Sequence, residues 1–187
     1  MLRVAGTLPP THRFFAAYGA WTAKGAPRVW DTHEVSPQAK EPQRIEPSGL
    51  ADYLEVITKA VFQSGMSWRV VEAKWDGFRA AFHDFDPEWV AALTPPDVDR
   101  LAEDTGIIRN RRKIEATVHN AEELVELDRQ HGSFRDYLRS HGSFDATVAD
   151  LRSRLKFVGD TGAYYFLYVV GEDVPPHQEF MHSRGKG

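Results

Sequence analysis

Lys156-Phe-Val-Gly-Asp-Thr-Gly162 sets a lysine, a threonine and two glycines within seven residues. Backbone N–H groups in a glycine turn at a helix start, with Lys156 and Thr161 beside them, suit a phosphate-sized anion. An ordinary helix–helix connection is the simpler use of the same residues. Gly106-Ile-Ile-Arg-Asn-Arg-Arg-Lys113 brings Arg109, Arg111, Arg112 and Lys113 to the start of a long helical pattern. Positive charge there opposes the helix macrodipole unless an anion or a carboxylate joins it. A solvated face with Glu115 as partner is the plainer alternative. Phe62-Gln-Ser-Gly-Met-Ser-Trp68 reads as a turn that displays a large aromatic and a flexible apolar side chain. Such parts fill a gap in a base stack and offer a flat face to an extruded base. They serve equally as core anchors at a helix start.

These segments need helices to position them. Phe144, Val148, Leu151 and Leu155 recur at three- and four-residue steps, as do Ala163, Phe166, Leu167 and Val170, with Gly171 as a stop. Two helices with a tight turn at Phe157-Val158-Gly159 make a helix-hairpin-helix. Ser48 is the expected N-cap of a helix with Leu50, Tyr53, Leu54, Ile57 and Val61 inward, ending at Ser64-Gly65. Ser67 is expected to cap a single helix with Val70, Val71, Trp75, Phe78 and Phe82 on one side. Asp86-Pro87 and Pro96 each open a short helix. A long helix runs from about Asn110 to His131, and a short one covers Ser133–Ser140. No segment reads as a strand, so the fold class is all-α, an orthogonal bundle of about eight helices.

Composition narrows the class. The chain has 187 residues, enough for one domain with an extension, and a formal net charge of −4. Contact with nucleic acid therefore needs a local basic patch. The absence of cysteine excludes disulfides, thiolate metal sites and cysteine nucleophiles. No apolar run approaches a membrane span and no signal pattern opens the chain, so a cytoplasmic location without membrane contact is expected. Residues 1–47 carry six prolines and no sustained period. They read as an irregular extension packed on a body formed by residues 48–187.

Taken together, the segments resemble the DNA-3-methyladenine glycosylase I family of the helix-hairpin-helix superfamily. Phe62-Gln-Ser-Gly-Met-Ser-Trp68, Phe82-His-Asp-Phe-Asp86, Gly106–Ile114, Asn120-Ala121, Lys156-Phe-Val-Gly159, Thr161 and Tyr164 carry the likeness in family order over residues 50–171. The resemblance implies a protein that flips a damaged base from double-stranded DNA and hydrolyses its N-glycosidic bond without lyase chemistry. Lys156, Val158, Gly159, Thr161 and Gly162 would hold phosphates, with Arg109, Arg111 and Lys113 nearby. Ser64, Gly65 and Met66 would wedge into the duplex, Trp68 would stack on the base, and Gln63 would face its edge.

Three features depart from that pattern. The family's pocket carboxylate falls at Ala60. Glu179, about twenty residues beyond the hairpin glycine, is the expected substitute, with Asp173 second; both are otherwise solvated acids. The family's zinc ligands have no clear match: Trp30–Glu34 is a faint echo, and His33, His177 and His182 lack a fixed spacing. No metal or cofactor is therefore expected, and a monomer is. Two functions fit: excision of alkylated purines, 3-methyladenine first, or lesion binding without catalysis.

Overall fold

The structure, a computed structural model, describes residues 43–184, apart from the side chains of Trp68 and Arg184. The chain divides into two units, Met1–Ile45 and Glu46–Gly187. The expectations for His33, for Trp30–Glu34 and for the packing of the N-terminal extension lie outside the described residues. The second unit holds ten α-helices and no strand among the described residues: α1 (Leu50–Gln63), α2 (Trp68–Ala73), α3 (Trp75–Ala81), α4 (Pro87–Ala91), α5 (Pro95–Glu103), α6 (Arg111–His131), α7 (Phe134–Arg139), α8 (Phe144–Arg154), α9 (Asp160–Val169) and α10 (His177–Arg184).

Most helix starts follow the expected chemistry. Asn110, Ser133 and Ser143 each accept a hydrogen bond from a first-turn N–H of α6, α7 and α8. Asp86 does the same for α4, with Pro87 in the first turn. Thr94 and Asp97 form a capping box, so α5 begins at Pro95 rather than Pro96. At α1 the cap position is Gly49, while Ser48 donates its N–H and hydroxyl to Asp52 at 2.6 and 2.7 Å.

The helix expected from Ser67 onward is two helices. The chain turns at Lys74 (φ −105°, ψ 0°), so α2 and α3 point differently. Val71 is buried and Val70 is exposed. The turn lets Trp75 aim its indole N–H at Glu55 of α1, at 2.7 Å. Trp75, Phe78, Phe82 and Phe85 then stack in series beside Phe62, with neighbouring ring centroids 4.5–6.1 Å apart. Between Phe82 and α4 the residues His83, Asp84 and Phe85 all take positive φ, near 55°. That left-handed stretch costs energy in L-residues, and full burial of Phe82 before it and of Phe85 at its end holds it.

α6 is the hub, packing against α1, α4, α5 and α7, while α1 also packs on α9. From Tyr53 to Gln63 every residue of α1 is buried, its polar side included. An amphipathic pattern foretells one buried face; here the other face is buried because its charges pair. Glu55 takes Arg79 in a bidentate contact at 2.9 and 2.7 Å, and Lys59 meets Glu72 at 2.8 Å. Lys59 also lies 4.8 Å from the Trp75 ring centre. Burial lowers its pKa, and Glu72 opposes that shift.

Candidate nucleic-acid interface

The hairpin is anchored before it is charged. α8 ends at Arg154, Phe157 takes φ 59°, and α9 starts from Gly159 with Ala163 N–H on the Gly159 carbonyl at 2.8 Å. Asn120, fully buried on α6, accepts from the Lys156 N–H at 2.7 Å and donates to the Lys156 carbonyl at 3.2 Å. One amide thus holds both backbone polar groups of Lys156 and fixes the turn against α6. His119 adds a contact from the same helix to the Arg154 carbonyl at 3.0 Å. Thr161 and Gly162 lie in the first turn of α9, where backbone N–H groups have no i−4 carbonyl. The Lys156 side chain and Gly159 are exposed. The Val158 side chain is buried.

The basic cluster meets this hairpin, but its members divide. Arg112 lies 6.0 Å from the ring centre of Phe157, which is 43% exposed at the tip. Arg109 is exposed. Arg111 pairs with Glu115 at 2.9 Å and with Asp99. Its expected phosphate role therefore competes with two carboxylates. Lys113 departs further from expectation. It is buried, and its ammonium donates to the carbonyls of Phe62 and Ser64 at 3.1 and 2.6 Å. It is committed to the C-terminus of α1, where a cation is favoured, and is unavailable to a phosphate. Burial lowers its pKa. The macrodipole conflict at the start of α6 is resolved by these partners.

Lys113 also ties the Gln63–Ser67 turn to α6. Ser64 and Gly65 are exposed there, Gly65 with φ 70°, and Met66 is half-buried. Trp68 opens α2, its side chain outside the described atoms. Gln63 is 1% exposed, and neither its amide oxygen nor its nitrogen has a hydrogen-bond partner among the described residues. Ala60 is buried one turn before, and a Cβ at Gly162 would sit 4.0 Å from its methyl. The turn and the hairpin therefore meet across the α1–α9 contact.

The two proposed carboxylates are not brought to this place. Gly162 and Phe166, four apart on α9, face Ala60 and Tyr53 of α1. Tyr164 points about 200° away from Gly162 around that helix. It stacks on Phe180 of α10 with ring centroids 4.3 Å apart and donates its hydroxyl to the Pro175 carbonyl at 3.0 Å. Glu179 is exposed on α10, across α9 from Ala60. Asp173 is exposed beyond the C-terminus of α9, roughly 15 Å along its axis from the first turn that touches Ala60. His177 lies against the Tyr164 ring, and the His182 Nδ1 lies 2.7 Å from the Gln178 carbonyl.

Comparison with known proteins decides the family. The methyladenine glycosylase profile matches residues 51–154. The chain belongs to the methyladenine glycosylase family. It is 35% identical over 130 residues to DNA-3-methyladenine glycosylase 1 of Escherichia coli, covering 58% of this chain and 70% of that one. A Haemophilus influenzae DNA-3-methyladenine glycosylase is 34% identical over the same shares. Among solved structures, a 3-methyladenine DNA glycosylase I aligns with TM-score 0.60 and 33% identity over 68% of this chain and 81% of the other. The Staphylococcus aureus glycosylase I aligns at 0.61 and 26%, over 69% and 80%. The resemblance read from the motifs and the all-α fold are thus established, and relatives with this fold are N-glycosidic hydrolases. The family match stops at the last residue of α8, so it leaves the hairpin to the structure. Sequence reasoning had not picked out Lys59 and Glu72. The only signal was that Glu55, Lys59 and Gln63 recur at four-residue steps, a polar stripe that resembles a solvated face.

Proposed function

We propose that this methyladenine glycosylase extrudes 3-methylated purines from double-stranded DNA and hydrolyses the N-glycosidic bond. The observation that carries the reading is the Gln63 amide. A buried amide with both ends unbonded among the described residues costs several kcal/mol by order of magnitude. A purine edge, with a donor and an acceptor side by side, satisfies both ends. In the reaction, water oxygen bonds to C1′ as the C1′–N bond breaks. The bonding pair neutralises the cationic base, and the water proton leaves to solvent. A 3-methylated purine departs neutral without a general acid, so Ala60 does not forbid turnover. Single-turnover incubation with methylated duplex should release free 3-methyladenine.

Ala60 also supports a second reading, lesion binding without excision. In that case abasic-site duplex binds tightly while no base is released. Either way the phosphate grip is assigned to the hairpin backbone with Lys156 and Arg109. Replacing Lys156 and Arg109 together by Ala should weaken intact and lesion duplex alike. The slope of log affinity against log salt should flatten by about two. Affinity titrations at several salt concentrations check this, and an unchanged slope retires the patch. Arg111→Ala should change the slope little, since its charge is already paired.

A further inference from the structure

One turn before Gln63 on α1 lies a buried ion pair whose carboxylate comes from α2. Lys59 and Gln63 are four residues apart on α1, and positions 68 and 72 are four apart on α2, so each pair shares a helix face. The Lys59–Glu72 ion pair, at 2.8 Å, shows that these two faces oppose each other. The unsatisfied amide of Gln63 therefore lies one helical turn from Lys59, and Glu72 lies one turn from the start of α2. Lys59 is 1% exposed and the Glu72 side chain 18%, and the Glu72 Oε2 that meets Lys59 is buried with no hydrogen-bond partner among the described residues. Glu55, the other acid of this network, is spent on Arg79 and on the Trp75 indole. Glu179 and Asp173 lie elsewhere in the fold. An ion pair taken out of water is seldom gained for stability alone, because apolar residues of like volume serve at least as well.

We propose that Glu72, held by Lys59 one helical turn from Gln63, supplies the negative charge of the base pocket that Ala60 leaves without one. This rests on the glycosylase reading above. The carboxylate accepts a hydrogen bond from the exocyclic amine of the extruded purine and offsets its positive charge. Gln63 takes the remaining donor and acceptor of the edge. Lys59 is a positioning residue that fixes the carboxylate and does not touch the base.

Two variants of the full chain separate this role from a structural one. Glu72→Gln keeps the shape and removes the charge. Lys59→Leu with Glu72→Leu replaces the whole pair by apolar side chains and guards against a stranded buried lysine. Single-turnover release of 3-methyladenine, affinity for abasic-site duplex, and thermal melting are measured for each. We expect the double variant to melt near the wild type and to bind abasic-site DNA within about threefold. Its release should be slowed roughly a hundredfold, the usual scale for losing one electrostatic group at a reacting centre. Glu72→Gln should be slowed similarly. If the wild type releases base and the double variant matches it, Glu72 is structural and the glycosylase reading survives alone. If the wild type releases nothing, both fall.

Discussion

Gly77→Ala should destabilise the protein by about 2–3 kcal/mol, against the sign that helix propensity alone would give. Gly77 lies inside α3, where alanine is normally favoured by about 1 kcal/mol. Here a Cβ would come 2.2 Å from the Gly106 carbonyl oxygen and 2.8 Å from its carbon. Both contacts are to backbone, so no side chain can swing aside. The loop that must yield is the one Lys74 also holds, through the Thr105 carbonyl, and it leads directly to Arg109 and α6. Thermal melting should therefore fall by several degrees, about 2–4 °C for each kcal/mol in a protein of this size. DNA affinity should fall with it, because the basic cluster moves. A variant that melts higher than the wild type would show that the loop can retreat at no cost.

Lys113→Met is the second large effect. Methionine fills nearly the same volume but leaves the Phe62 and Ser64 carbonyls without their charged donor. Hydrogen bonds to charged groups contribute about 1.5–3 kcal/mol each, so a loss of roughly 3 kcal/mol is expected. The variant should also lose its preference for abasic-site over intact duplex, since the Gln63–Ser67 turn is no longer tied to α6. Parallel melting curves and binding titrations decide the point. Weakened binding to both duplexes with unchanged stability would instead assign Lys113 to phosphate, against its buried position.

The glutamate and lysine at 55, 59 and 72 show why some of the site was hidden. In sequence, charged residues at helical spacing look like the outer face of α1. Only the packing of α2 and α3, on either side of the turn at Lys74, encloses that face and pairs its charges. Lys113 was hidden for a related reason. Its run of basic neighbours suggested a solvated cluster, but position 113 lies on the inward side of α6 opposite the open end of α1. Glu179 matched a sequence interval, and an interval says nothing about which side of α9 a residue occupies.

The residues alone determined the all-α class, most of the helices, the place of the turn at 157–159 and the family likeness. Those properties are local: they depend on side-chain period and on helix-ending chemistry within a few residues. Tertiary structure decided which charges are buried, which cations still face solvent, and which carboxylate pairs with Lys59. Those depend on how helices far apart in sequence pack, and burial, more than residue type, sets whether a charge binds a ligand or a neighbour.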